Sequence, residues 1–458
     1  MDAAKDKVDR SRKMRTNRQM KRRRLPRAPR RFQTTGPWRW GALVSLAACG
    51  DNVEPAPTSA RFADSAGVAI VTNPPSGTVH AILAPEPILT IGAIDGPDEV
   101  LFGRIASVAV DGTGRLIVAD GQSGEIRIFD AAGAHIQTFG GSGEGPGEFR
   151  SLGGAWPSAE GAIVAVDTRL ERITRFDPGG ELVATSTFKG PGDLPMIRPI
   201  RLAGPDTFLS RVRSLNLPSA EDAVSLDDAL ESLADPLGSS VEYLVRYDLT
   251  GAVVDTVATI PGRATSMSSQ SSGTNVSIQL MRIPFSPMPV ATASPDGRVA
   301  VTKGRSYEFS LYDTVGALER IVRLAGEPPI RTDAHLEAWV RASTGGREPL
   351  DDADVEAALR RYETVPVPDR HPAWNSLHIT DSGEIWARRF AIRGAETLLH
   401  DVFGADGSFL GHVALPSRFR IEQISDGMLT VVSTDDLGVQ RVEVYELTGP
   451  YNGLQAAP

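Results

Sequence analysis

One short pattern recurs six times along this chain and constrains its fold more than any other feature. In each copy an aromatic residue is followed three or four positions later by a turn glycine. The six aromatic residues are Phe129, Phe176, Tyr247, Tyr312, Phe403 and Tyr445. They are separated by 47, 71, 65, 91 and 42 residues, so the repeat is about 45 residues long in its shortest form and longer where it contains insertions.

The most regular stretch shows what one repeat contains. Between Ile105 and Phe149, four short runs of β-branched and aromatic residues are separated by Gly, Asp and Ser turns, which is typical of an antiparallel meander. A meander cannot bury both of its faces alone, so copies of it must stack. Four-stranded repeats of this length are typical of propeller blades. We therefore predict an all-β fold, a six-bladed β-propeller of four-stranded antiparallel blades, over residues 61–450.

Three stretches resemble a known family. They are the motif Gly143–Phe149 (GEGPGEF), the repeated Phe-Asp-x-x-Gly, and the run Phe403–Gly411. Together they resemble bacterial six-bladed β-propeller proteins of the NHL-like kind, many of which are lipoproteins. The resemblance extends from about Arg61 to Leu447 and implies the propeller fold. It supplies no catalytic residues, because propellers host many functions.

The sequence also predicts how the ring of blades closes. Ile88–Ile91, a loop and Phe102 repeat the arrangement of Ile136–Gly140, a loop and Phe149. In the second case the strand is the last of a blade. We therefore expect Ile88–Ile91 to be the outer strand of the sixth blade, whose other strands come from the C-terminal region Ile424–Leu447. Such a closure ties the two chain ends into one sheet and removes free edges.

The N-terminal region has the layout of an export signal. Its first forty residues contain 15 Lys or Arg and 3 Asp or Glu. The short apolar run Trp40–Ala48 follows and ends in Leu-Ala-Ala-Cys, which looks like a lipobox. We predict a signal peptide over residues 1–48, a lipidated Cys49 with a flexible tether over 49–60, and a C-terminal tail over 451–458. The alternative for Cys49, the sole cysteine, is a small buried thiol.

The charge and composition of the chain limit the possible binding partners and the cellular location. The residues after the basic head contain 33 of the 48 Lys and Arg but 54 of the 57 Asp and Glu, which argues against nucleic-acid binding. No cysteine other than Cys49 is present for disulfides. Since Gly50 rather than Asp follows Cys49, resemblance to other bacterial lipoproteins favours the outer membrane, facing the periplasm, in a cell with two membranes. We expect a monomer that is attached to the membrane through the lipid on Cys49.

Three insertions are predicted to decorate the propeller. Pro218–Pro236 is acidic and has a helical pattern, and Ala264–Ser277 reads as a mobile Ser- and Gly-rich loop. Thr332–Tyr362 has apolar residues at helical spacing in two runs, so we predict a helical hairpin before the fifth blade. Its stripe includes Trp339 and Tyr362. Because Trp and Tyr are enriched at binding hot spots, we predict that these two residues bind a partner; the alternative is a cap that shields the blade ends.

Catalytic signatures are scarce. The seven histidines lack metal-type spacing, no Gly-x-Ser-x-Gly motif occurs, and Trp156, Trp374 and Trp386 are predicted to pack in the core. We therefore predict no catalytic residue, cofactor or metal, and a non-enzymatic function: a lipid-anchored envelope module that binds a protein, peptide or glycan. The alternative is a metal-dependent hydrolase or lyase with calcium in the central tunnel. Asn375 is the one asparagine expected near the start of an inner strand there.

Overall fold

The computed structural model describes residues 59–158, 161–188, 196–213, 241–272, 275–344 and 350–449. The side chains of residues 196–197, 266–281 and 344 are not part of this description. The predicted signal peptide, Cys49, most of the tether, the C-terminal tail and the predicted acidic helix at Pro218–Pro236 lie outside the described residues.

The strands fall into a short N-terminal series and six blades. The N-terminal strands are β1 Arg61–Ser65, β2 Val68–Asn73, β3 Ile82–Leu83 and β4 Leu89–Ile91. The first blade comprises β5 Ile105–Val110, β6 Leu116–Asp120, β7 Glu125–Phe129 and β8 His135–Gly140. The second comprises β9 Leu152–Pro157, β10 Ile163–Asp167, β11 Arg172–Phe176 and β12 Leu182–Thr187. The third comprises β13 Met196–Leu202, β14 Thr207–Arg213, β15 Val241–Asp248 and β16 Val253–Pro261.

The second half of the chain continues the series after an additional hairpin. That hairpin is β17 Thr265–Ser272 and β18 Asn275–Arg282. The fourth blade comprises β19 Val290–Ala293, β20 Val299–Thr302, β21 Glu308–Tyr312 and β22 Leu318–Leu324. The fifth comprises β23 Trp374–Ile379, β24 Ile385–Arg389, β25 Thr397–Phe403 and β26 Phe409–Pro416. The sixth contains β27 Phe419–Ser425, β28 Met428–Thr434 and β29 Gln440–Thr448.

The blades form a closed ring. Within each blade the consecutive strands pair antiparallel, and the first strands of neighbouring blades adjoin one another from β5 through β9, β13, β19, β23 and β27 back to β5. The predicted all-β, six-bladed propeller is therefore confirmed.

The repeated aromatic–glycine pattern forms the last turn of each of the first five blades. The aromatic side chain is buried at most of these positions, as at Phe129, which is fully buried. In the first blade Asp130 Oδ1 accepts hydrogen bonds from the backbone N–H groups of Ala132 and Ala134. Gly133 has φ +83°, a left-handed conformation that glycine adopts without steric cost. The sequence pattern thus encodes an Asx-type turn that returns the chain to the outer strand.

The sixth blade closes as the sequence predicts. Strand β4 pairs antiparallel with β29, with Ile91 opposite Val442. Ile91 is 3% exposed and packs between the sixth and first blades, against residues that include Ile105 and Phe129. The outer strand is thus supplied by the N-terminal side of the chain and the other three strands by the C-terminal side.

The N-terminal strands also reach the outer edges of other blades. We call residues 61–91 the N-terminal strap. Strand β2 pairs in parallel with β22, so β1 and β2 extend the fourth blade to six strands. The buried side chain of Asn73 then joins the fourth and fifth blades: its Nδ2 donates to the carbonyl oxygens of Arg323 and Gly407, and its Oδ1 accepts from Phe409 N–H. Farther along, His80 N–H donates to the His412 carbonyl in the fifth blade at 2.8 Å.

The helical hairpin lies where the sequence predicts it, between β22 and β23. Its helices are α1 Asp333–Arg341 and α2 Asp352–Arg360, and each begins at a side-chain cap, Thr332 for α1 and Asp351 for α2. The prediction of a mobile loop at Ala264–Ser277 is wrong, since most of it lies in β17 and β18. Backbone pairing in unbroken register forms this hairpin, from Thr265 opposite Arg282 to Ser272 opposite Asn275.

Candidate functional site

The propeller has two faces that differ in what they carry. The first strand of every blade begins at the face that holds the connections between blades, which we call the crossover face. It ends at the face that holds the first turn within each blade, which we call the turn face. The helical hairpin, the β17–β18 hairpin and the Gly-rich connection between β8 and β9 all belong to the crossover face.

A cavity of about 370 Å³ lies on the crossover face, between the end of α1 and the loops that follow β16, β18 and β24. We call it the hairpin groove. Its larger apolar lining residues are Ile283, Phe285, Met288, Trp339 and Phe390. Phe285 has φ +57°, a conformation that costs a bulky residue energy, and is held by ring contacts to Phe390 and His371. The groove thus has a fixed aromatic floor.

The structure brings the two predicted partner-binding residues together. The rings of Trp339 and Tyr362 meet edge to face with centroids 6.3 Å apart, and both side chains are partly buried. Trp339 lines the groove, whereas Tyr362 is not among its lining residues. Val340 of α1 and Val355 of α2, each 3% exposed, take the buried positions of the hairpin. The apolar stripe is therefore divided: its valines are buried, and Trp339 is left at the groove.

The groove is positively charged. Three arginines line it, Arg263, Arg282 and Arg393, and none of the described residues that line it is acidic. Arg393 Nη1 donates to the Ala342 carbonyl at the end of α1. Burial, together with the charges of Arg211 and Arg282, lowers the pKa of Arg263, and Glu242 opposes this. A cation surrounded by other cations and partly removed from water is stabilised by an incoming anion.

A histidine contact joins the hairpin to the propeller beside the groove. His371 Nε2 and His335 Nδ1 are 3.0 Å apart, and the Thr332 N–H also donates to His335 Nδ1. His335 Nδ1 therefore acts as an acceptor and His371 Nε2 as a donor. Burial, and next the nearby His335 and Arg331, lower the pKa of His371, which favours the neutral form of His371. The spacing of these histidines, 36 residues, gave no sign of the contact.

A larger cavity, of about 790 Å³, opens on the turn face at the centre of the ring. We call it the axial cavity. All six blades contribute to it through the ends of their first strands and the turns that follow. Trp374 and Trp386 are fully buried, as predicted for core residues, and Trp156 is 7% exposed. Trp156 nevertheless lines the axial cavity, so packing is only part of its environment.

The described residues offer little to a metal ion. No group of three or more His, Cys, Asp or Glu side chains among them is arranged to hold one. Asn375, the residue expected near a tunnel calcium, lies in β23, and its Oδ1 accepts a hydrogen bond from Arg388 Nε at 2.9 Å.

A family model agrees with the blade count. The family DUF5128, described as a 6-bladed beta-propeller, matches residues 93–189, which include the first two blades. This chain is a six-bladed β-propeller. No curated protein matches its sequence.

Solved structures with similar folds are distant in sequence. A Bacteroides fragilis protein described as a candidate for export is 11% identical, with 83% of this chain and 100% of that chain covered at a TM-score of 0.45. A DUF4221 family member from Bacteroides vulgatus is 11% identical, with coverages of 81% and 99% and a TM-score of 0.45. A gluconolactonase from Xanthomonas campestris is 14% identical, with coverages of 80% and 100% and a TM-score of 0.35. At such identities the likeness says nothing about what this propeller binds.

No helix in the described part of the chain has the length and apolar character needed to cross a lipid bilayer.

Proposed function

We propose that this protein is an exported, lipid-anchored β-propeller that binds an acidic peptide segment of a partner protein in the hairpin groove. The observation that carries the proposal is the lining of the groove. Trp339 and the aromatic floor lie beside three arginines, and the described lining of the groove contains no acidic side chain. Two kinds of recognition are thus combined, apolar burial and charge attraction.

Trp339 is the expected anchor of the bound segment. It is partly buried, and its indole N–H has no hydrogen-bond partner in the described part of the chain. A tryptophan at the edge of a preformed groove loses little conformational freedom when a ligand covers it, which is why such residues dominate binding energies. Tyr362 contributes by supporting the Trp339 ring from outside the groove.

Arg263 and Arg282 supply the preference for acidic ligands. Neither side chain makes an ion pair or a hydrogen bond within the described residues. A carboxylate that enters the groove therefore gains a charge-assisted hydrogen bond without breaking an existing one. A volume near 370 Å³ holds a few side chains rather than a folded domain, so the ligand is a short segment.

The direct test uses two labelled peptides that differ only in charge, EEWEE and QQWQQ, and fluorescence anisotropy. We expect EEWEE to bind at least ~10-fold more tightly than QQWQQ, and added salt to reduce the difference. Trp339→Ala should weaken EEWEE binding by about 10- to 30-fold, the usual effect of truncating a hot-spot aromatic. Arg263→Gln should reduce the preference for EEWEE.

The matched control is Arg360→Gln. Arg360 lies in the same hairpin, pairs with Glu356 on the exposed side of α2, and does not line the groove. It should bind EEWEE within about twofold of the unaltered protein. Equal binding of the two peptides, or unchanged binding by Trp339→Ala, would refute the proposal. If the protein binds an acidic polysaccharide but not EEWEE, the ligand of the groove is a glycan rather than a peptide.

The anchor is tested separately. Cys49→Ala should release the protein from membranes and abolish incorporation of radiolabelled fatty acid, because the thiol is the only acceptor that the sequence offers. In a two-membrane cell the unaltered protein should fractionate with the outer membrane. A Cys49→Ala protein that still sediments with membranes would show that another feature holds it there.

A further inference from the structure

The axial cavity lies on the face opposite the hairpin groove and has no part in the proposed peptide binding. It has a volume of about 790 Å³, within the range of sites for small organic ligands. Side chains from six different blades line it, so its shape depends on the complete ring. A small molecule bound there would contact groups that are far apart in sequence.

Most charged groups around this cavity are already compensated. Arg115 Nε pairs with Asp111 at 2.8 Å, and Arg298 Nε pairs with Asp296 at 3.2 Å. Each pair lies within one first turn, in the first and fourth blades respectively. These two arginines therefore contribute little net charge to the interior.

Arg201 is different. It lies near the end of β13, where the strand register shifts between Pro199 and Arg201, and it lines the cavity. Among the described residues, its guanidinium finds no hydrogen-bond partner, and no carboxylate oxygen lies within 4 Å of it. A partly buried arginine without a hydrogen-bond or ion-pair partner is costly, because its charge has lost part of its contact with water.

Two carboxyl groups act on Arg201 through their charge, but neither forms an ion pair with it. Burial lowers the pKa of Arg201, and the charges of Glu422 and Asp381 oppose this; burial also raises the pKa of both carboxyl groups. Glu422 is also engaged elsewhere, since Oε2 accepts from the Val108 N–H at 2.9 Å and Oε1 from Arg420 Nε. Of the three arginines that line the cavity, Arg201 is thus the one without an ion pair or a hydrogen bond among the described residues.

The remaining lining adds a second donor and an apolar wall. The indole N–H of Trp156 has no hydrogen-bond partner among the described residues. Leu202 and Ile379 line the same space and provide aliphatic surface beside the Trp156 ring. The hydroxyl of Ser382 is already in contact with Thr380 Oγ1 at 2.8 Å. The open positions therefore favour an acceptor oxygen attached to an apolar body.

We propose that the axial cavity binds a small organic carboxylate, with the carboxylate on Arg201 and an aromatic or branched apolar body against Trp156, Leu202 and Ile379. The planar guanidinium matches a carboxylate through two parallel N–H donors. The apolar body of the ligand displaces water from the apolar wall formed by Trp156, Leu202 and Ile379. This proposal does not depend on the peptide groove, because no lining residue is shared between the two cavities.

The test is calorimetric titration of the full chain with 2-naphthoate and with its neutral analogue 2-naphthamide. We expect 2-naphthoate to bind with a Kd of about 1 mM or tighter, as a ligand of its size in a preformed site should. The amide should bind at least ~10-fold more weakly, since it lacks the charge. Arg201→Gln should weaken 2-naphthoate binding by about 10- to 100-fold and leave the affinity for the amide nearly unchanged.

Arg298→Gln is the matched control, because Arg298 lines the same cavity but is already paired with Asp296. It should retain 2-naphthoate binding within about threefold. If Arg201→Gln fails to fold, Arg201→Lys can replace it. This variant keeps the charge but not the two parallel donors, so it should bind 2-naphthoate with intermediate affinity. The comparison of 2-naphthoate with 2-naphthamide on the unaltered protein needs no variant at all. Equal affinity for the two probes, or no binding of 2-naphthoate at about 5 mM, overturns the proposal. So does binding that Arg263→Gln abolishes and Arg201→Gln does not, because the naphthoate would then occupy the hairpin groove.

Discussion

The closure of the ring by β4 can be tested with one pair of isoleucines. Ile91 is 3% exposed and lies opposite Val442 of β29, whereas Ile88, three residues earlier in the same segment, is 60% exposed. Substituting each by Ala removes the same three carbon atoms. Only in Ile91→Ala are these three carbon atoms lost from the buried interface between the sixth and first blades.

The structure sets the size of the difference. Three buried carbon groups at about 0.8 kcal/mol each give about 2.4 kcal/mol of lost transfer free energy. The space that remains adds a cavity term, so Ile91→Ala should lower the free energy of unfolding by about 3 kcal/mol. Ile88→Ala should change it by less than about 0.5 kcal/mol, as surface substitutions do.

Guanidinium unfolding followed by tryptophan fluorescence measures both values, since Trp374 and Trp386 are fully buried reporters. The double variant Ile91→Ala/Val442→Ala should lose less stability than the sum of the two single variants, because the side chains are direct cross-strand neighbours. Equal midpoints for Ile88→Ala and Ile91→Ala, or strict additivity with Val442→Ala, would show that β4 is not seated in the sixth blade in solution.

Two further outcomes follow from the strap and the core. A Cβ at Gly411 would collide with the Thr78 carbonyl of the strap, whereas a Cβ at Gly427 meets nothing within 4 Å, and both glycines have positive φ. Gly411→Ala should therefore lower the free energy of unfolding by at least about 2 kcal/mol more than Gly427→Ala in the same assay. Equal losses would show that the strap does not pack on the fifth blade in solution. Burial lowers the pKa of His400 to about 4, so the unfolded chain takes up a proton near its ordinary value of about 6.5 while the folded protein does not. Above pH 6.5 His400 should not reduce the free energy of unfolding, and between pH 6.5 and 4 it should reduce it by up to about 1.4 kcal/mol per pH unit as the pH falls. His400→Gln should make the pH dependence of stability less steep between pH 7 and 5. If the slope is unchanged, other groups cause the loss of stability at low pH.

The sequence by itself determined the blade architecture. The pattern Phe129-Asp130-x-x-Gly133 is local: the carboxylate, the two N–H groups it binds and the left-handed glycine lie within five residues, so the turn forms wherever the pattern occurs. Alternating turns and β-branched runs then permit little other than stacked meanders. The closing strand at Ile88–Ile91 was predictable for the same reason, since it repeats the Ile136–Gly140 arrangement.

The helical hairpin was predictable from local signals too. Apolar residues at helical spacing and acidic first turns specify two helices, and Thr332 and Asp351 cap them. Which of their apolar residues are buried was not local information. Val340 and Val355 take the buried positions and Trp339 is left at the groove, because the loops after β16, β18 and β24 supply the opposing surface.

Only the tertiary structure decided where the strap runs and which charges lack partners. Asn73 binds groups of the fourth and fifth blades that are at least 250 residues away in sequence, so no spacing rule anticipates them. Arg201 and Trp156 likewise come from different blades, the third and the second, and line one cavity only because those blades pack side by side. An arginine is ordinary in a sequence of this composition; whether it is paired depends on the side chains that six separate strands bring to the axis. The fold follows from short-range patterns, whereas the binding sites depend on long-range packing.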